Sequence, residues 1–138
     1  MRQAERQFIQ TTEGRGFYEV TRVIADWAAE TGMTTGLLTL LCRHTSAGLL
    51  ITENAAPAVR RDLGCWLDRI APEGSHYEHD DEGPDDMPAH LRSVLTGVSL
   101  SIPVTGGRMA LGTWQGIFLA EFRALPHRRT VAAHIIGA

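Results

Sequence analysis

Cysteine is scarce in this sequence: Cys42 and Cys65 are the two present in 138 residues, and they do not form a CxxC pair. Without that motif, cysteines do not indicate a zinc site or a redox pair. Each of the two lies beside apolar residues, in the segments LLC and CWL. We expect both to be buried thiols, because a disulfide is uncommon in a chain without a secretory signal.

Long apolar segments and an excess of positive charge are also lacking. No stretch stays apolar over the length that a bilayer crossing needs, and the N-terminal sequence MRQAERQF has no apolar signal core. The chain carries 13 basic and 16 acidic residues, for a net charge of −3. This balance argues against nucleic acid and membrane surfaces as non-specific partners. We therefore expect a soluble, cytoplasmic globular protein.

The apolar residues follow strand and helix periodicities along one domain, residues 1–138. Alternating or continuous apolar runs predict strands, whereas a spacing of three to four residues predicts helices. The predicted strands are residues 3–12, 35–43, 48–52, 98–104, 107–112, 115–123 and 128–136, and the predicted helices are residues 17–30, 54–70 and 88–95. Because long helical and strand runs are segregated, we predict an α+β fold with a mixed β-sheet and its helices packed on one face.

The second predicted helix has both a start signal and an apolar stripe. Asn54 can cap its N-terminus, and Pro57 is tolerated in its first turn. Apolar residues then recur at helical spacing, which predicts one buried face. The predicted face consists of Val59, Leu63, Trp66, Leu67 and Ile70.

The segment Tyr77–His90 is strongly polar and lies between two apolar helical patterns. It contains His79 and His90, several carboxylates, one glycine and two prolines. His90 falls in the first turn of the helix that begins at Pro88, where the helix dipole favours a neutral imidazole. A third histidine, His44, ends an apolar run. Three imidazoles with an open position can hold a catalytic divalent metal.

A simpler interpretation of the same segment stays open. Asp85 and Asp86 can serve only to cap the helix that follows them. His76 and residues 80–82 then belong to a solvated surface. Because separated histidines are a weak metal signal, spacing alone does not choose between a metal site and a polar loop.

Glu121 lies in a predicted strand, on the same face as Ile117 and Leu119. If that face points inward, the carboxylate is buried and needs a partner. If it points outward, Glu121 is a surface residue and the opposite face, with Phe118 and Phe122, belongs to the core. The alternation does not decide between these two cases.

Polar groups near this strand are candidates for ligand contacts. Trp114 and Gln115 lie between two glycines, which suits a close backbone approach to a ligand; a β-bulge with a packed tryptophan is the alternative. Four arginines could neutralise a phosphorylated substrate, although each one singly is more typical of a solvated strand end. These arginines are Arg108, Arg123, Arg128 and Arg129.

Thr45 and Ser46 directly follow His44 and supply two hydroxyl groups. Adjacency in sequence does not create the geometry of a catalytic triad, and the glycine pattern of a nucleophile elbow is missing around Ser46. We therefore do not predict a serine hydrolase.

Three segments together resemble the YjbQ-type family, whose members are often described as secondary thiamine-phosphate synthases. The first segment runs from His44 to Asn54, the second from Tyr77 to His90, and the third from Gly107 to Glu121. The segments occur in the order and with the spacing of that family, and the resemblance covers nearly the whole chain.

The resemblance implies a single α+β domain that assembles as a homotrimer, with its site near a subunit boundary. By motif, it implies His44, His79 and His90 as the ligands of a divalent metal, with Asp86 and Glu121 as the catalytic groups. The residues that it places in the substrate pocket are Thr45, Ser46, Glu53, Asn54, Arg108, Thr113, Trp114 and Gln115.

The reaction implied by the resemblance joins a pyrimidine diphosphate to a thiazole phosphate and releases pyrophosphate, as a weak, secondary activity. We therefore expect a small phosphorylated metabolite as the ligand. Three histidines favour a zinc-like ion over magnesium, which prefers oxygen ligands. Two alternatives stay open: a metal-free enzyme with Glu121 and His90 as acid and base, and a metabolite-binding or scaffold oligomer without catalysis.

Overall fold

The computed structural model describes residues 1–74 and 76–138, which form eight strands and three helices. The strands are β1 (Arg2–Thr12), β2 (Gly16–Glu19), β3 (Thr35–Cys42), β4 (Ala47–Glu53), β5 (Ser99–Thr105), β6 (Arg108–Met109), β7 (Gln115–Glu121) and β8 (His127–Gly137). The helices are α1 (Thr21–Glu30), α2 (Pro57–Ile70) and α3 (Asp86–Thr96). Within the described residues, none of the helices combines the length and the apolar composition that a membrane span requires.

The strands form two separate sheets. One has the order β1-β8-β3-β5-β6 and the other the order β2-β7-β4. The predicted single α+β domain is confirmed, but the predicted mixed sheet is wrong, because every pairing among the described residues is antiparallel. The reason is topological: α1 joins β2 to β3, and the α2–α3 segment joins β4 to β5, so the helices connect strands of different sheets. A crossover helix produces a parallel pair only when both of its strands lie in one sheet.

The main core lies between the two sheets. Alternate residues of β3 and β7, such as Leu38 and Ile117, point into it. α1 adds Ile24 and Trp27 to the same core. The expectation that all helices share one face is therefore wrong: α2 and α3 belong to a second cluster, in which Leu67 and Ala89 pack with Ala120 and Phe122 of the β7 segment. β7 is consequently covered on both faces.

Two predicted element boundaries are wrong for identifiable reasons. Residues 16–19, predicted as the start of a helix, form β2 and pair with β7, so sheet pairing prevails over local helical spacing. α2 begins at Pro57 with Ala56 at its N-cap, and Asn54 instead donates a hydrogen bond to the Glu19 carboxylate. The fixed backbone angle of proline suits the first helical position, which explains the later start.

The predicted buried stripe of α2 is also wrong. Leu67 is its buried residue, whereas Trp66 and Ile70 are 44% and 46% exposed. The helix rests on the sheet along a narrow line, which leaves the neighbouring apolar side chains facing outward. Cys65 shares this exposed side, so the expectation of two buried thiols holds for Cys42 and fails for Cys65.

Candidate functional site

The loop that precedes α3 is tied to the end of β7 by one arginine. The Arg123 guanidinium donates to Asp85 Oδ2 at 3.0 Å, to Asp86 Oδ1 at 2.7 Å and to the carbonyl oxygen of Glu82 at 2.9 Å. The Ala124 backbone N–H adds a bond to Asp85. These contacts hold the polar loop in a defined shape, as a ligand site requires.

Two histidines and one aspartate converge within this loop and the first turns of α3. Asp86 Oδ2 lies 2.9 Å from His79 Nε2 and 3.1 Å from His90 Nε2. Asp86 is 3% exposed, and its two histidine neighbours are partly open to solvent. The three ligand atoms all lie within 4.8 Å of one another, so a single ion could contact all of them.

The contacts around His90 determine which of its nitrogens is free. Its Nδ1 lies 2.8 Å from the carbonyl oxygen of Thr45, which can only accept a hydrogen bond. Nδ1 therefore carries the proton, and in the neutral ring the lone pair is on Nε2, the atom that faces Asp86 and His79. A carbonyl that fixes the tautomer in this way is a common outer-shell partner of metal-binding histidines.

The group has the electrostatics of a carboxylate between two imidazoles. The hydrogen bond to Asp86 raises the pKa of His79 above its ordinary value. Burial raises the pKa of Asp86, but the bond to His79 and the charges of His90 and Arg123 outweigh it and hold that pKa below its ordinary value. Asp86 is thus ionised, and a divalent cation could take the place of the proton that His79 Nε2 shares with it.

The structure places His44 outside this group. His44 lies between β3 and β4, and its Nε2 accepts a hydrogen bond from the Thr130 backbone N–H at 2.7 Å. Burial, followed by the charge of Arg129, lowers its pKa, which favours the neutral ring. Among the described residues, the third group beside His79 and His90 is a carboxylate, and the ligand role of His44 stays a prediction.

A surface cavity of about 450 Å³ adjoins His90 and brings some of the predicted residues together again. His44, Thr45 and Ser93 line it together with His90, and Val98 contributes to an apolar wall. A cavity of this size is sufficient for a small metabolite. The cavity is therefore the place where His44 and Thr45 could contact a ligand of the histidine group.

Glu121 is buried on the inner face of β7, and the structure supplies the partner that its burial demands. Arg129 donates from Nε to Oε1 at 2.8 Å and from Nη2 to Oε2. Thr12 Oγ1 donates to Oε1 at 2.7 Å. The backbone N–H groups of Phe122 and Arg123 also donate to Oε2. These five bonds occupy the lone pairs of the carboxylate. Such a group positions its neighbours, and its predicted catalytic role stays a prediction.

The pKa of Glu121 reflects the same contacts. Burial raises it, but hydrogen bonds from Arg129 and Thr12 outweigh that effect and hold it below its ordinary value. Arg129 also donates to Ser46 Oγ at 3.0 Å. Ser46, predicted to bind substrate, is therefore buried and bonded to the arginine that neutralises Glu121.

The remaining predicted pocket residues, apart from Arg108, lie at the other end of the three-stranded sheet. In the β4–β7 register, Ala47 pairs with Glu121 and Glu53 pairs with Gln115. The two ends are six residues apart along a strand, which corresponds to about 20 Å. Within one chain, the structure therefore separates these pocket residues from the histidine group.

Local contacts at that far end explain several of the polar residues. The Glu53 carboxylate accepts bonds from the Ala56 backbone N–H before α2. Gln115 Oε1 accepts from the Gly112 N–H at 2.8 Å, which closes the turn before β7. Trp114 is 63% exposed. Thr113 and Arg108 are exposed as well, with Arg108 on β6 at the edge of the five-stranded sheet.

The sequence alone favours solvated strand ends for Arg123 and Arg129, whereas in the structure both hold other polar groups in place. Arg129 is buried against Glu121, and Arg123 holds the loop of the histidine group. One signal was present in the sequence: Arg129 alternates with Val131, Ala133 and Ile135, which all point into the core. An arginine in register with core residues indicates a buried acidic partner.

The comparisons with known proteins agree with this architecture. Residues 5–138 match the family model described as UPF0047 protein YjbQ-like. The chain is 45% identical over 137 residues to the UPF0047 protein sll1880 of Synechocystis sp., which covers 99% of this chain and 93% of that protein. It is 44% identical over 128 residues to the YjbQ protein of Escherichia coli O157:H7, which covers 92% of this chain and 93% of that protein.

Solved structures show the same fold. The hypothetical protein APE1520 of Aeropyrum pernix K1 superposes with a TM-score of 0.89 at 31% identity and covers 98% of this chain and 99% of its own. A YjbQ/UPF0047 protein of Clostridium acetobutylicum superposes with a TM-score of 0.88 at 34% identity and covers 95% of this chain and 99% of its own. The family model and these full-length relatives lead to one conclusion: the chain belongs to the UPF0047 YjbQ-like family.

Proposed function

We propose that this chain is a small enzyme that uses a divalent metal, held by His79, His90 and Asp86, to act on a phosphorylated metabolite. The observation that carries the proposal is the convergence of two imidazole nitrogens and one carboxylate oxygen within 4.8 Å. In this set, Asp86 takes the place that the sequence assigns to His44. Two histidines with one carboxylate are a ligand set of known catalytic zinc sites.

The surroundings of the three residues support the same role. Arg123 binds the second oxygen of Asp86, and the Thr45 carbonyl binds the second nitrogen of His90. Ligands of catalytic metals are commonly held by such outer contacts. The mixed nitrogen and oxygen donors suit a zinc-like ion better than magnesium, which prefers oxygen alone. When bound, the metal would stabilise negative charge on a phosphate oxygen.

The reaction that we propose is the one implied by the family resemblance, the joining of a pyrimidine diphosphate to a thiazole phosphate. The cavity beside His90 would hold the phosphorylated substrate, with Thr45 and His44 at its wall. Asp86 would keep the two histidines in place, and Arg123 would keep Asp86 ionised. We place the enzyme in the cytoplasm, in agreement with its two free thiols, Cys42 and Cys65.

Elemental analysis of untagged protein tests the metal site. We expect about one zinc-like ion per chain after exposure to zinc, and loss of that ion in the His79→Ala, His90→Ala and Asp86→Asn variants. His76→Ala is the matched control, because His76 lies in the same loop outside the ligand group. Circular dichroism verifies that each variant is folded.

The His44→Ala variant distinguishes the two possible ligand sets. It should retain the metal, because His44 Nε2 is bonded to the Thr130 N–H and lies outside the group. Loss of metal in a folded His44→Ala protein would instead support the ligand set of three histidines, His44, His79 and His90. A folded wild-type protein that binds no metal after soaking with zinc or manganese would contradict the proposal.

We also propose that the chain assembles as a homotrimer, as the resemblance implies. The outer face of the five-stranded sheet exposes Leu37 and Ile136, which pair across β3 and β8, and Leu41 lies beyond them on the same face. An exposed apolar face of this kind is typical of an interface. At a subunit boundary, Trp114 of one chain would also lie close to the histidine group of a neighbouring chain.

Light scattering after size-exclusion chromatography tests the assembly. The wild-type protein should elute with the mass of three chains, and Leu41→Glu should reduce that mass by placing a charge on the outer face. Val23→Glu is the matched control and should leave the mass unchanged, because Val23 is an exposed apolar residue of α1 outside that sheet. A monomeric wild-type protein at micromolar concentration would contradict the proposed trimer.

A further inference from the structure

A second cavity, of about 400 Å³, lies on the opposite side of the three-stranded sheet from the main core. It is bounded by α2, by the start of β2 and by the end of β7. Its lining includes four arginines, Arg15, Arg60, Arg61 and Arg92. The histidines of the proposed metal site do not belong to its described lining, so the cavity needs an explanation of its own.

The charge of this cavity is opposite to that of the whole protein. The sequence has no lysine, so all 13 basic side chains are arginines, and four of them line one cavity of a chain whose net charge is −3. The carboxylates that act on Arg92 are Asp68 and Glu73. The carboxylates in the described lining are Asp68 and Glu121, and Glu121 pairs with Arg129, which is not part of that lining. Counted over the lining, four positive and two negative groups leave an excess of two positive charges.

Arg92 is buried at the base of this arrangement with one donor unused. Its side chain is 5% exposed, and its Nη2 bonds the Ala71 carbonyl at 2.9 Å and Asp68 Oδ1 at 3.1 Å. Its Nε is buried and has no hydrogen-bond partner among residues 1–74 and 76–138. A buried donor without an acceptor is unfavourable, and because Arg92 lines the cavity, a turn of its guanidinium towards a bound anion would give this donor an acceptor.

The other arginines differ in how far they are already engaged. Arg60 donates to the Glu53 carbonyl and lies 5.1 Å from the centre of the Phe118 ring. Arg15 contacts Asp68 at 3.4 Å and is 39% exposed. Arg61 is exposed on α2 and lines the cavity. Arg61 and Arg15 can therefore turn towards a ligand without breaking a buried contact.

The wall between the arginines is apolar. Phe17, Leu67 and Phe122 line the cavity together with Pro57. An inorganic anion alone would leave this surface in contact with water, whereas an aromatic or apolar group would cover it. Guanidinium groups match the geometry of phosphate oxygens, and a phosphate monoester carries about the two negative charges that the excess demands.

We propose that this cavity binds a small organic phosphate, with the phosphate among Arg15, Arg61 and Arg92 and an apolar or aromatic body against Phe17 and Phe122. The site is separate from the proposed metal site and does not depend on it. A ligand here would contact both α2 and α3, since Arg61 belongs to α2 and Arg92 belongs to α3. Its occupancy should therefore stabilise the packing of both helices on the sheet.

Isothermal titration calorimetry with phenyl phosphate tests this proposal on the full-length protein treated with a chelator. We expect saturable binding, and Arg61→Gln and Arg15→Gln should each weaken it about tenfold or more, because each removes a charged hydrogen-bond donor. Arg69→Gln is the matched control and should leave the affinity unchanged, because Arg69 is an exposed arginine of α2 outside the cavity. Inorganic phosphate and benzoate should each bind about tenfold more weakly than phenyl phosphate, because one lacks the apolar body and the other the second charge.

Three results would overturn the proposal. The first is the absence of saturable binding of phenyl phosphate to the folded wild-type protein. The second is equal affinity in Arg61→Gln, Arg15→Gln and Arg69→Gln. The third is loss of binding in His90→Ala with retention in Arg61→Gln, which would place the ligand in the cavity beside His90. Because the protein is free of metal in this experiment, failure of the metal site leaves the outcome unaffected.

Discussion

Replacing Arg129 by methionine should lower the free energy of unfolding by about 3–5 kcal/mol, because the change leaves a buried carboxylate without its partner. Glu121 is 1% exposed and Arg129 is 4% exposed. Arg129 supplies two of the five hydrogen bonds to that carboxylate and two to Ser46, one to its Oγ and one to its carbonyl oxygen. Methionine preserves much of the apolar volume of arginine, so the loss measures the charge and its hydrogen bonds rather than a cavity.

Urea denaturation at neutral pH measures this loss. For a protein of this size, a slope of about 2 kcal/mol per molar urea converts the expected loss into a midpoint lower by about 1.5–2.5 M. Arg128→Met is the matched control, since Arg128 is the exposed neighbour on β8, and it should change the free energy by less than about 0.5 kcal/mol. All variants are compared at one protein concentration, because assembly would add to the apparent stability.

The double variant Glu121→Gln/Arg129→Met measures the coupling between Glu121 and Arg129 apart from their contacts with other residues. It should cost clearly less than the sum of the two single changes, because no buried charge is then left unpaired. Strict additivity of the two changes would refute the reasoning, as would a loss below about 1 kcal/mol for Arg129→Met.

Further predictions concern acid stability, a close backbone contact and the helix α2. Burial raises the pKa of Glu121, but its hydrogen bonds outweigh burial and hold that pKa below its ordinary value. The ionised carboxylate therefore contributes its full stabilisation above about pH 4.3, and this contribution is lost as the pH falls through the folded-state pKa. In urea titrations, Glu121→Gln should flatten the fall in stability at acid pH. Gly48→Ala should cost about 1–3 kcal/mol in the same assay, because its Cβ would lie 2.5 Å from Thr96 Oγ1. Leu67→Ala should cost about 2–5 kcal/mol, whereas Trp66→Ala, on the exposed side of α2, should cost much less; equal losses would show that Trp66 is buried.

The elements of the candidate site that lie close together in sequence could be predicted from it. Asp86 and His90 are four residues apart, but the predicted helix begins at Pro88; only because α3 begins at Asp86 do both side chains lie on one helix face. His79 lies on the short loop before that helix, within reach of both. The association of a polar loop with a possible metal site therefore follows from the sequence, although the carboxylate as the third group does not.

The burial of Glu121 illustrates a limit of pattern reasoning. An alternating strand normally reveals its inner face by contrast with a polar outer face. Residues 116–121 are all buried, because the main core covers one face of β7 and the helices cover the other. The contrast disappears in such a strand. The question of which face is inward then has no answer in the sequence, and both faces turn out to be internal.

The sequence by itself determined the fold class, most of the strands, the three helices and the family, because these depend on local periodicity and on motifs in order. Tertiary structure alone decided that Arg129 neutralises Glu121, that Arg123 holds Asp86, and that the Glu53–Gln115 pair lies far from the histidines. Each of these facts depends on which distant strands pair and in what register. A strand pattern specifies which residues share a face, but the partner that meets that face comes from another part of the chain, and folding alone brings the two together.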